Sequence, residues 1–200
     1  MFILVLGCLL DTSLRVGDQW TTERIIHTVQ VPDHIDRQTV QTLSYSVEDS
    51  GKDLTVVKIK PVPNPGSESW IWIFHSNGTL AQPESVSDPD LERVYRMIWT
   101  ATELREGLSW SRKWPLIPGL PEAVVSVKPT SRTAEDQALS VQYREGTDTR
   151  IVASIKLLNQ VRVVKEISLT INKVQIPGSI LPGTVAITER LKEIHLKPRL

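Results

Sequence analysis

The chain is 200 residues long and has a single cysteine, Cys8, so it can form no internal disulfide and hold no multi-cysteine zinc site. It also lacks an excess of either charge: 23 Lys and Arg offset 23 Asp and Glu, with no long run of one sign. That removes the electrostatic footprint a nucleic-acid backbone or an anionic membrane would require. No apolar run approaches the roughly 20 residues that a spanning helix needs, so no transmembrane helix is expected. Phosphate-binding loops of the Gly-x-x-x-x-Gly-Lys or Gly-x-Gly-x-x-Gly type are missing, as is a Gly-x-Ser-x-Gly nucleophile elbow. The four histidines, His27, His34, His75 and His195, lie in separate segments without the i,i+4 spacing that places two imidazoles on one metal. Asp88 with Asp90, and Glu103 with Glu106, suit helix ends and solvent better than acid–base catalysis. No cofactor and no metal are implied.

What is present begins with an apolar stretch. Met1 to Leu10 is almost wholly hydrophobic and turns polar at Asp11-Thr12-Ser13, the profile of an export signal, although the basic n-region is missing. Val5-Leu6-Gly7-Cys8 resembles the lipobox of bacterial lipoproteins, which would make Cys8 a lipidation site and give a lipid anchor. The opposing reading is a buried apolar strand with Cys8 as a small core residue.

Beyond Ser13 the hydrophobic period is two, the mark of strands that bury one face. Leu43, Tyr45 and Val47 alternate with Ser44, Ser46 and Glu48. Asp49-Ser50-Gly51-Lys52-Asp53 then supplies turn chemistry before Leu54 to Ile59, and this predicts a hairpin. Ile151 to Leu158 and Val161 to Ile171 flank Asn159-Gln160 and predict a second hairpin with Glu166, Ser168, Thr170 and Asn172 on its wet face. Trp70-Ile71-Trp72-Ile73-Phe74 is apolar on both faces, which predicts a central strand, and Asn77-Gly78 after it fits a hairpin turn. Gly183 to Leu196 reads as a strand through Val185 and Ile187, with a short helix through Leu191 and Ile194 as the other choice. Residues 32–39 and 129–137 read as exposed polar loops.

One helix interrupts the strands. Asp88 suits the cap and Pro89 the first turn, while Leu91, Val94, Tyr95, Ile98 and Trp99 follow a helical stripe, with Glu92 and Arg96 paired opposite. Two similar stretches flank it. Leu14-Arg15-Val16-Gly17-Asp18-Gln19-Trp20 and Leu104-Arg105-Glu106-Gly107-Leu108-Ser109-Trp110 share Leu-Arg-x-Gly-x-x-Trp, and Leu43 to Lys60 aligns without a gap on Leu139 to Lys156. An internal duplication is therefore expected, in which each tryptophan seals a core edge at the start of a strand. If both rings are buried, Trp20→Ala and Trp110→Ala each cost about 3–5 kcal/mol.

The resulting expectation is a mainly β protein: two tandem antiparallel β-meander repeats in a curved sheet or partly open barrel, with one amphipathic helix. Its segments are 1–13 (signal-like), 14–86 (first repeat), 87–103 (bridging helix) and 104–200 (second repeat). Trp70, Trp72 and Phe74 are read either as core packing or as the lining of an apolar ligand pocket. Asp33, His34 and Asp36 are the candidate partner-binding loop. The functional expectation is a non-catalytic, exported protein of the bacterial envelope, periplasmic or secreted, that binds a protein partner or an apolar small molecule. The rival is a hydrolase whose site is assembled from several loops.

Overall fold

The computed structural model describes residues 14–51, 54–62, 69–75, 109–114, 123–159 and 163–198. The apolar leader with Cys8, the Asn77-Gly78 turn, the helix expected over 88–99 and the Gly107 copy of the motif's turn lie outside those residues. Among these residues ten strands are present: β1 (Gln19–Gln30), β2 (Ile35–Ser50), β3 (Leu54–Val62), β4 (Trp70–His75), β5 (Trp110–Trp114), β6 (Ala123–Arg132), β7 (Asp136–Glu145), β8 (Asp148–Leu158), β9 (Val164–Gln175) and β10 (Pro182–His195). They form one sheet in the order β4-β3-β2-β1-β10-β9-β8-β7-β6-β5. Every ladder is antiparallel. Each half of the chain is a simple meander, and the halves join where the first strand pairs the last.

Alternation puts one parity of each strand on a common buried face, here called the inner face. Leu43, Tyr45 and Val47 of β2 share it with Val57 and Ile59 of β3. In the other half it carries Leu139, Val141 and Tyr143 of β7, Ile151, Ala153 and Ile155 of β8, and Ile167, Leu169 and Ile171 of β9. These side chains belong to one hydrophobic cluster that runs across both halves. The outer face is wet and ionic, with cross-strand pairs such as Lys156–Glu166 at 3.0 Å and Arg190–Glu166 at 3.2 Å.

Six ladders carry register shifts, and bulges of this kind bend a strand and raise its twist. One shift sits at Pro129/Ser131 on β6, where the proline has no N–H to give the ladder. Another leaves Lys173, at φ 57°, as the extra residue on β9 opposite the Gly183/Thr184 step. Gly183 itself admits no side chain, because a Cβ there would lie 2.6 Å from the Val29 carbonyl oxygen. There β10 runs against the end of β1.

Several expectations change. Trp70–His75 is an edge strand and not a central one, because β4 ladders only with β3 among the described residues. The stretches 32–39 and 129–137 are mostly strand: the turns shrink to residues 31–34 and 133–135. Residues 36–40 are exposed on both faces, and 36–39 are polar, because β2 extends past the core, which removes the two-residue period that marks a strand.

The tandem-repeat reading is not confirmed by the geometry. The shared Leu-Arg-x-Gly-x-x-Trp stretches lead into β1 and β5, whereas the Leu43 and Leu139 runs fall on β2 and β7. β1 and β2 are neighbours, but β6 lies between β5 and β7. β2 and β7 stand five antiparallel steps apart and so run in opposite directions. A rotation that overlays them while keeping the meander's direction across the sheet turns the buried face outward. The described strands fall into a run of four and a run of six. The strand reading of residues 183–196 matches β10.

Candidate functional site

At the centre of the sheet, the inner face is interrupted by charge. Trp20, Thr22 and Arg24 follow one another on the inner parity of β1, and Glu189 stands directly opposite Arg24 on β10. Arg24 and Glu189 are each only 4% exposed. Arg24 donates from Nε to Glu189 Oε2 at 2.9 Å, and its Nη2 lies 2.8 Å from the same oxygen. The other carboxylate oxygen, Oε1, accepts from Thr22 Oγ1 at 2.8 Å and from Tyr45 Oη at 2.7 Å. A buried carboxylate with this many donors is held in place. Tyr45 in turn stacks on Trp20, with ring centroids 5.0 Å apart and planes 8° from parallel. Sequence reasoning missed this cluster. The available signal was one carboxylate in an otherwise apolar parity, Val185, Ile187, Glu189, Leu191.

Just ahead of β1, the Leu-Arg-x-Gly-x-x-Trp stretch forms a knot. Gly17 takes φ 85°, and its N–H donates to the Val47 carbonyl at 3.0 Å. Asp18 is fully buried and accepts from Arg15 N and Lys197 N, both at 2.8 Å. The strand that begins the sheet is thereby tied to the residues that follow β10. The corresponding position of the second stretch is Leu108, which has no carboxylate to offer.

At the two sides of the sheet the pattern reverses. β4 and β5, at six and five residues, are the shortest strands, and no ladder joins one to the other among the described residues. Short edge strands limit the unpaired backbone that a sheet presents. Trp72 stands in register with Val57 and Trp70 with Ile59, both inner-face positions. On β5, Trp110 stands in register with Val127, which is fully buried, and Trp114 with Ala123 at the same parity. The candidate residues Trp70, Trp72 and Phe74 thus share one parity of an edge strand, and the opposite edge carries two further tryptophans at matching register.

The second candidate group does not converge. Asp33 and His34 lie in the turn between β1 and β2, while Asp36 is on β2. Asp33 accepts from Ser179 Oγ, and Asp36 pairs with His27 Nε2 at 2.7 Å on the exposed outer face. No serine, threonine or cysteine side chain bonds to that His–Asp pair among the described residues. Nor do the described residues hold a cluster of three or more potential metal ligands. No helix among them is long and apolar enough to cross a membrane. Elsewhere, ionisable groups are tuned by outer partners. The Lys165 ammonium bonds to Asp136 and holds its carboxyl below the ordinary carboxylate range, and Asp136 raises Lys165 in return. Lys173 lowers Asp148, and Glu166 is lowered first by Lys156 and then by Arg190.

No family model and no curated protein matches the sequence. Among solved structures the chain is similar to one described as lipid–protein interactions in lipovitellin. The TM-score is 0.50 at 9% identity, over 94% of this chain and 26% of the lipovitellin chain. This chain therefore matches about a quarter of that protein's length, and the likeness is one of fold: a mainly β chain built on an open antiparallel sheet.

Proposed function

We propose that this chain is a non-catalytic carrier or sensor of an apolar, lipid-like ligand, held against the inner face and admitted between β4 and β5. One observation carries the reading: an apolar face, broken at the centre by the Arg24–Glu189 pair, extends from β3 to β6 across a sheet whose two edges share no ladder among the described residues. An acyl chain can lie among such side chains without hydrogen bonds. Trp70, Trp72 and Phe74 on one edge, with Trp110 and Trp114 on the other, are the residues proposed to flank the opening. The fold likeness to lipovitellin supports the same class of ligand.

The test is native mass spectrometry of the purified chain, followed by solvent extraction, together with titration by a fluorescent fatty acid. A co-purifying apolar molecule and saturable uptake are expected, and Trp72→Ala should weaken uptake at least ten-fold with the melting temperature little changed. A chain that carries nothing and shows no saturable uptake would overturn the reading. We also propose that the protein is exported to the bacterial envelope, on the strength of the apolar run Phe2 to Leu10 and the lipobox-like Val5 to Cys8. Mass measurement of the mature N-terminus after expression in a bacterial host tests this, and an intact Met1 would end it.

A further inference from the structure

We propose that one end of the sheet is a docking tip for an uncharged lipid surface, formed by the β1–β2 turn and the β9–β10 loop. Its aliphatic side chains face water to an unusual degree: Ile180 is 91% exposed, Val31 74% and Leu181 44%. Soluble proteins scatter such residues singly, and a group of three at one tip calls for a surface to receive it.

The two loops are built to hold this display. In the first, Gln30 Oε1 accepts from Asp33 N at 2.7 Å and His34 N donates to the Val31 carbonyl at 3.1 Å, with His34 in the left-handed region at φ 52°. In the second, Gly178 takes φ 86°, Gln175 Nε2 donates to the Ser179 carbonyl at 2.6 Å, and Ser179 Oγ accepts from Leu181 N at 3.0 Å. Ser179 Oγ also bonds to Asp33 and so fastens one loop to the other. Loops ordered by this many local bonds do not fold back to hide their apolar tips.

Charge and size select the occupant. Residues 176–182, Ile-Pro-Gly-Ser-Ile-Leu-Pro, carry no charge, and Asp33, the only acid in the facing turn, is hydrogen-bonded to Ser179. The two loops themselves, residues 31–34 and 176–182, hold no lysine or arginine to favour an anionic bilayer. Three aliphatic side chains bury on the order of 300 Å², far below the about 800 Å² per partner of a stable protein interface. The interfacial region of a bilayer needs no such area, since a few inserted apolar side chains suffice for reversible attachment. Under the tip, Ile176 is buried, and Val174 and Val185 pack on the core cluster, so the apolar surface continues from the tip onto the inner face. The proposal rests on the tip and holds whether or not the inner face carries a ligand.

The experiment is flotation of the full chain with phosphatidylcholine vesicles, with and without an anionic lipid. The wild type is expected to float with neutral vesicles. The triple variant Val31→Ser, Ile180→Ser, Leu181→Ser should float at least ten-fold less, and Val40→Ser, an exposed aliphatic on the outer face of β2, should float as the wild type does. If the triple variant does not fold, Ile180→Ser alone should still lower flotation several-fold. The proposal is overturned if the wild type does not float, if it floats only with anionic vesicles, or if the serine variants float equally well. It is also overturned if the wild type self-associates in sedimentation velocity without binding vesicles and the variants abolish that association, because the tip would then serve a protein contact.

Discussion

The centre of the sheet and its two sides solve opposite problems. Where β1 meets β10, strands of 12 and 14 residues are laddered along most of their length, and the buried Arg24–Glu189 pair joins them. The Trp20–Tyr45 stack and the Asp18 knot reinforce the same region. At β4 and β5 the strands are short, and neither edge is laddered to the other among the described residues. Buried charge is poor as a source of net stability but effective at excluding alternatives, since a shift of one residue between β1 and β10 would turn Glu189 to the other face and leave Arg24 buried without it. The comparison teaches that this chain concentrates its specificity at one ladder. That leaves the opposite side free for work that needs an unpaired edge.

Four measurements can break or sharpen that contrast. Glu189→Ala leaves the Arg24 guanidinium buried without its carboxylate and should cost on the order of 3–5 kcal/mol in urea unfolding. The matching truncation at the edge, Ile71→Ala at a half-buried position of β4, should cost well under half as much, and equal losses would refute the contrast. Trp20→Ala removes a buried ring together with its stack on Tyr45, and a loss of about 3 kcal/mol is expected. Asp18→Ala unties Arg15 N and Lys197 N and should cost about 2 kcal/mol, with faster amide exchange at Lys197. The smallest effect concerns pH. Asp136, Asp148 and Glu166 have lowered pKa values when folded, so their contribution is present above the unfolded value and is lost as pH falls through the folded one. Lys165 is raised, so its share is full below the unfolded value and is lost as alkaline pH passes the folded one. The urea midpoint should hold steady across neutral pH and decline below roughly pH 4. Asp136→Asn should flatten part of that acid decline while leaving the cost of Glu189→Ala unchanged.

Part of this was legible in the residues. The β2–β3 and β8–β9 hairpins declare themselves because Leu43, Tyr45, Val47 and Ile167, Leu169, Ile171 bury alternate positions against polar neighbours. β4 was misplaced for a physical reason: Ile71 and Ile73 are only half-buried, yet a strand apolar on both faces looks the same in sequence at an edge or at the centre. Central charge was invisible because its partners lie 165 residues apart and pair only when the sheet assembles. Similarity between the two Leu-Arg-x-Gly-x-x-Trp stretches was real as sequence, but Asp18, which ties the first into a knot, has Leu108 as its counterpart. Of the candidate site residues, Trp70 and Trp72 gained meaning from register, whereas Asp33, His34 and Asp36 were dispersed among local bonds.

The neighbouring position of β1 and β10 also orders events during synthesis. β2 becomes available to β1 within a few dozen residues, but the other side of β1 has no native partner until the ribosome has passed His195. Until β10 is made, Arg24 sits on an unfinished edge and Glu189 does not yet exist. Closing so long a separation is slow, and an exposed strand edge in the interim is a surface to which other nascent chains can add. A chaperone that shields β1 until the last strand arrives would act where the nascent chain is most exposed.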